Sequence, residues 1–239
     1  MLLKTWMTFV SMLASLVAAA PAKNTGATRF QDYGSPTVYV VNNCESTLKV
    51  GHSADVEYYG DIVNVAAGSK YTIHPPINWS GRVWGRINCG GQNCFKSGMG
   101  SPASLAEFHF MDNGKVFYDI SLVDGYNLPM VVEPTIKADA LVGTDNRWCA
   151  APTCTSFKCP SGFEVYDDQG NISGCQSACT KFQTDEYCCT GAFDSADTCT
   201  TNAYASQIKH TCPDAYSYAY DDATSVYMCT SNAYTVTFC

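Results

Sequence analysis

Short alternating runs of β-branched and aromatic residues recur along this chain of 239 residues, separated by Gly, Asn, Asp and Pro. The first follows Ser35-Pro36 as Thr37-Val-Tyr-Val-Val-Asn42. Others stand at Lys70-Tyr-Thr-Ile73, Arg82-Val-Trp-Gly-Arg-Ile87, Ala106-Glu-Phe-His-Phe110 and Val116-Phe-Tyr-Asp-Ile-Ser121. Such residues fit a pleated, half-buried surface, so the runs predict strands. Tyr234 to Phe238 alternates in the same way and predicts a last one. Turn signals such as Asp112-Asn-Gly114 point to an antiparallel sandwich or barrel. No long helix-periodic segment competes in this half of the chain.

From about Asn146 to Cys212 the pattern changes. Apolar runs shorten, Ser, Thr, Asp and Gly dominate, and nine of the 14 cysteines fall here. A second, disulfide-held lobe is expected. Ser177-Ala-Cys-Thr-Lys-Phe182 predicts a short helix within it, with Ala178 and Phe182 on one face. The start of the chain reads as a secretory leader: Lys4, an apolar run from Trp6 to Ala20, then small residues at Ala18, Ala19, Ala20 and Ala22. Cleavage after Ala22 is preferred to cleavage after Ala20, since Pro21 is awkward beside a cut. The run of about 15 residues falls short of the roughly 20 that span a bilayer. The expected layout is leader 1–22, linker 23–36, a β-sandwich core from 37–145 plus 213–239, and a lobe at 146–212.

Composition narrows the compartment and the partners. All 14 cysteines follow the leader, and an even count in an oxidising compartment argues for seven bridges. Zinc is the rival, but the close pairs are Cys89/Cys94, Cys149/Cys154, Cys154/Cys159 and Cys175/Cys179, not the Cys-x2-Cys that zinc favours. His52, His74, His109 and His210 share no ligand spacing, so no metal and no cofactor are expected. Spacing alone leaves the pairing open. Asn78-Trp-Ser80 and Asn171-Ile-Ser173 are N-glycosylation acceptors. A formal charge of -8 argues against nucleic acid and anionic membranes, which need clustered Lys and Arg. An uncharged polar partner or a basic one fits better, to a soluble monomer.

Several longer stretches resemble the thaumatin-like proteins, the family of the plant pathogenesis-related group five proteins. They are Gly81-Arg-Val-Trp-Gly-Arg86, Ser104-Leu-Ala-Glu-Phe108, the run from Phe117 to Met130, Phe182-Gln-Thr-Asp-Glu-Tyr-Cys-Cys-Thr-Gly191, the run from Cys212 to Ser225, and Tyr234-Thr-Val-Thr-Phe-Cys239, in the family order. The resemblance implies a flattened β-sandwich, a disulfide-rich second lobe of loops and short helices, and an acidic cleft between them. It also implies the pairing Cys44 with Cys239, Cys89 with Cys94, Cys149 with Cys229, Cys154 with Cys212, Cys159 with Cys175, Cys179 with Cys188, and Cys189 with Cys199. The family usually carries one bridge more. This chain is shortened where a Cys-rich segment normally follows the Arg82 strand.

The same resemblance places Arg82, Glu107, Asp119 and Asp124 in the cleft, with Asp221 or Asp222 as its last acid. A strict strand would point Asp119 and Asp124, five apart, to opposite faces, so a bend at the strand end is required. Acids on an acidic exported protein more often are solvated or cap turns. Crowded carboxylates raise one another's pKa and a neighbouring arginine lowers it, which is the division that glycoside hydrolysis uses. Glu107 is expected as the acid and Asp124 as base or stabiliser, with Tyr126 and Phe110 as candidate stacking surfaces for sugars. The expected function is binding and weak hydrolysis of β-1,3-glucan in cell-wall remodelling or defence. The alternatives are a non-catalytic glucan-binding or antifungal protein and a protein-binding inhibitor of a foreign glycosidase.

Overall fold

In the first strand, β1 (Thr37–Asn42), Val38, Val40 and Asn42 point inward while their neighbours stay half-buried, the period of two that the sequence carries. The computed structural model describes residues 34–54, 62–90, 94, 96, 102–135, 146–156 and 158–239. The expected leader, 1–22, and residues 23–33 of the expected linker lie outside them. The further strands are β2 (Leu48–Ser53), β3 (Val63–Val65), β4 (Lys70–Ile73), β5 (Ser80–Arg86), β6 (Leu105–Phe110), β7 (Val116–Ser121), β8 (Met130–Pro134), β9 (Thr153–Cys154), β10 (Glu164–Tyr166), β11 (Ile172–Cys175), β12 (Tyr227–Cys229) and β13 (Ala233–Phe238). Among the described residues, four short α-helices accompany them: α1 (Ala178–Phe182), α2 (Asp185–Cys188), α3 (Ala203–Thr211) and α4 (Asp222–Ser225). Among the described residues no helix is long and apolar enough to cross a membrane.

Two sheets carry the fold, one in the order β4-β1-β13-β8-β9 and one in the order β12-β7-β6-β5-β2-β3, with β10-β11 as a separate hairpin. Their facing sides share one core. Tyr234 of the first sheet meets Phe108, Phe110 and Tyr118 of the second at ring-centroid distances of 5.4, 5.8 and 4.9 Å. Truncating a side chain this buried to alanine costs about 3–5 kcal/mol. The mainly β expectation holds, with one difference in topology. β1 and β13, drawn from opposite ends of the folded chain, pair in parallel, where turn signals had suggested antiparallel neighbours throughout. A hairpin turn joins only antiparallel strands, so it says nothing about such distant partners.

All seven bridges are present with the pairing that the resemblance implied, and no cysteine is free. Cys44–Cys239 joins residues 195 apart, just beyond the paired ends of β1 and β13. β9 lies within the Cys-rich segment yet adds to the first sheet through β8. The short helix read from Ser177 to Phe182 exists because Ser177 caps it: its Oγ accepts from the Thr180 amide at 3.1 Å while Thr180 Oγ1 accepts from the Ser177 amide at 2.7 Å. α3, the longest helix described, has no strong apolar stripe to announce it. Asn202 opens it by accepting from the amides of Tyr204 and Ala205.

Candidate functional site

The outward face of the six-stranded sheet holds the candidate chemistry. Val83, Ala106, Phe108, Tyr118 and Ile120 turn into the core, so the residues between them on β5, β6 and β7 turn the other way. Register then aligns those residues across the strands. Arg82 pairs with Glu107, and Glu107 pairs with Asp119, so one arginine and two acids form a row across three strands.

Asp124 arrives from beyond the strand. β7 ends at Ser121, and the chain turns through Leu122 to Gly125, whose amide donates to the Leu122 carbonyl at 3.1 Å. Gly125 sits at φ +102°, and a Cβ there would lie 2.6 Å from the Cys175 carbonyl and from Pro102, so only glycine fits. This turn supplies the bend that the spacing of Asp119 and Asp124 demanded. Asp124 Oδ2 reaches Arg82 Nη1 at 3.5 Å, while Glu107 Oε1 lies 3.2 Å from Nη2 of the same guanidinium. The Arg82, Glu107 and Asp124 side chains stay 20, 30 and 25% exposed, open enough to meet a ligand.

The loop after Cys212 forms the other wall. Tyr216 runs beside the end of β7, its amide donating to the Ile120 carbonyl and its carbonyl accepting from Leu122. Its hydroxyl donates to Asp222 Oδ1 at 2.7 Å. A hollow of about 370 Å³ lies between Arg82, Glu107, Asp119, Asp124, Tyr216 and Asp222. A second hollow of about 270 Å³ shares Arg82, Glu107 and Asp119 with it and continues over His109 and Phe117. Together they make one trough with the acid row across its middle.

Electrostatics follow from this crowding. Burial raises the Glu107 pKa first, Arg82 lowers it, Asp124 raises it and the Ser121 hydroxyl bond lowers it, leaving a net increase. Asp119 is pushed well above the usual carboxylate range, by burial and then by Glu107, against a smaller lowering from Arg82. Asp124 rises by burial, again opposed by Arg82. Asp119 Oδ1 is buried and accepts no hydrogen bond among the described residues, which favours a proton on that carboxyl.

The geometry separates the remaining candidates. Asp222 lines the trough; Asp221 does not. Asp221 is 8% exposed, accepts from the Ser217 amide and hydroxyl and from the Thr224 hydroxyl, and lies 3.1 Å from Lys209 Nζ. It braces the loop that carries Asp222. Tyr126 requires a correction: it is 1% exposed, with its ring in the core and its hydroxyl pointed at the Lys158 carbonyl, because its amide and carbonyl are both hydrogen-bonded to the Cys175 backbone, at 3.0 and 2.7 Å, which holds it inside. Phe110 is also buried. Neither offers a face to a sugar. Among the described residues, both hollows are lined from segments 37–145 and 213–239, and the expected contribution of the 146–212 lobe to their walls is not seen there. That segment acts through Lys209 instead.

Sequence reasoning passed over Phe117, Tyr216 and Lys209. Phe117 had a signal, since it alternates with Tyr118 and must share a face with Asp119. Tyr216 and Lys209 depend on a long-range approach of loop to strand and had none.

Comparison with known proteins gives three findings. A family model described as the Thaumatin family matches residues 42–239. Pathogenesis-related protein 5 of Arabidopsis thaliana is 38% identical over 216 residues, 83% of this chain and 87% of that one, and a glucan endo-1,3-beta-glucosidase of Prunus avium is 36% identical over 228 residues, 85 and 90%. Among solved structures, a thaumatin-like xylanase inhibitor aligns with a TM-score of 0.39 at 15% identity, over 84% of this chain and 98% of that one.

Proposed function

Because the chain belongs to the thaumatin family, we propose that it is an exported protein that binds β-1,3-glucan or a related cell-wall polysaccharide along this trough and hydrolyses it weakly. The relative named as a glucan endo-1,3-beta-glucosidase supports that substrate class. The observation that carries the reading is the gathering of Glu107, Asp119, Asp124 and Asp222 along one open trough on the sheet face. Carboxyls sharing one guanidinium lie within the roughly 9.5 Å upper limit of glycosidase pairs. Glu107, lifted by burial, gives its proton to the glycosidic oxygen. Asp124, whose burial-driven rise Arg82 opposes, is the carboxylate that activates water or stabilises the positive sugar. Asp119 and Asp222 hydrogen-bond the hydroxyls of the bound rings.

Reducing ends released from laminarin, measured for the purified protein beside Glu107→Gln, test this. Release by the parent and loss in the variant is the expected pair of results. No release by either removes hydrolysis. Binding without turnover is the second reading, and the shared guanidinium favours it, since one cation serving both carboxyls makes their environments alike where catalysis needs them apart. Retention on insoluble glucan with no products would identify it.

Export fits the covalent frame, because seven bridges persist only where the surroundings oxidise thiols. In this reading residues 1–22 are removed, the mature monomer keeps the sandwich and lobe layout, and Asn78 and Asn171, both exposed, accept glycans. Mass spectrometry of the exported protein would find Lys23 at its start and glycan on those two residues.

A further inference from the structure

The acid row has a neighbour on the same sheet face. Two positions along each strand, Ser80 pairs with His109, His109 with Phe117, and Phe117 with Met228, which bridges in turn to Trp148. Residues two apart on a strand share a face, so this second row lies beside Arg82, Glu107 and Asp119 at about 7 Å. Phe117 is 37% exposed although Tyr118 and Val116 on either side are buried in the core. It also joins two hollows: the trough that contains the acids, and a further one of about 140 Å³ lined by Trp148, Met228, Val226 and Arg147.

We propose that Phe117 is a sugar-stacking platform, the floor of a subsite one ring beyond the acid row, and that Trp148 and Met228 extend it toward the sheet edge. The proposal rests on the glucan-binding reading given above. The occupant is a neutral β-linked glucan chain. A pyranose ring presents polar hydroxyls at its rim and apolar C–H groups on its faces, and this surface offers carboxyls in one row and an apolar ring in the next. The rows lie about 7 Å apart, the scale of a sugar ring, so a chain that sets two rings over the acids carries its next ring over Phe117. A basic peptide, the other partner that acids attract, would leave the apolar row without a function.

Isothermal titration of the full protein with β-1,3-linked glucose oligomers of different length tests this, comparing the parent with Phe117→Thr and Phe117→Trp. Threonine retains strand preference at an outward position, and Trp retains the platform. Affinity of the parent is expected to rise from dimer to hexamer. Phe117→Thr should lose that gain, weakening the hexamer by about tenfold, the scale of a lost apolar contact in a binding site, while leaving the dimer unchanged; Phe117→Trp should keep it. Hexamer binding by Phe117→Thr equal to the parent's overturns the platform and leaves glucan binding standing. Equal weakening of dimer and hexamer also overturns it. A parent that binds no oligomer removes the glucan reading and the platform together.

Discussion

Glu107 and Asp119 stand directly opposite one another on neighbouring antiparallel strands, two like charges at a position where a sheet ordinarily loses stability. The sheet tolerates them because Arg82 stands next in the row and because burial pushes both carboxyls toward the neutral form. A carboxyl whose folded pKa exceeds its unfolded one keeps a proton that the unfolded chain gives up. Its stabilising effect is complete below the unfolded pKa and is lost as pH rises toward the folded value.

Asp119→Asn is therefore expected to raise the melting temperature at pH 7 and to change it little below about pH 4, where both forms are neutral. The gain should read as about 2–4 °C for each kcal/mol recovered. Calorimetry of both proteins at the two pH values checks this. A variant less stable at pH 7 would show that the Asp119 charge is needed in the fold.

Arg82→Met should raise the pKa of both Glu107 and Asp124, since the guanidinium lowers each. Carbon NMR of the two carboxyls across pH reads this directly, and any hydrolysis should lose its acidic limb toward higher pH. Arg82→Lys is expected to restore only part, because an ammonium cannot offer two planar donors to two carboxyls. Unmoved titrations would mean that solvent, and not Arg82, sets the charges of the trough.

Removing the bridge that joins the chain's folded ends, as Cys44→Ser with Cys239→Ser, should cost about 2–5 kcal/mol. β1 and β13 pair beside it in parallel, so the loss should appear first as exchange of their amides. Uniform protection in that ladder by hydrogen exchange would place the bridge outside the folding ledger.

Lys209→Met removes the cation that lies against Asp221, Ser225 and the Ala215 carbonyl. Breaking one partner of a largely buried pair costs up to about 3–5 kcal/mol, and exposure of part of Lys209 brings the expectation below that. Asp221→Asn added to it should recover part of the stability by relieving the stranded charge. A double variant as unstable as the sum of the two single ones would mean that the pair is not coupled.

Much of this was readable in advance. The six strand-forming runs lie within observed strands or overrun them by at most one residue, and the capped helix after Ser177 is where its pattern placed it. Strands β2, β8 and β12 were passed over because Gly51, Pro134 and the brevity of Tyr227–Cys229 hide their alternation; their partners make them strands. The candidate acids were named from a family likeness, yet Asp221 and Asp222 were inseparable in the sequence, being adjacent and alike. The Lys209 contact separates them, holding one inward and leaving the other over the trough.

By itself the sequence determined the β character of the chain, its oxidised frame and which residues of a given strand share a face, since alternation is a local property with a period of two. It did not determine which strand lies beside which, or in what register. Those depend on contacts between residues far apart in the chain, and a shift of one residue in β6 would have turned Glu107 into the core and Phe108 into the trough. Only the packed sheet set Arg82, Glu107 and Asp119 in one row, only the turn at Gly125 brought Asp124 back to it, and only burial under neighbouring elements withdrew Tyr126 while leaving Phe117 exposed.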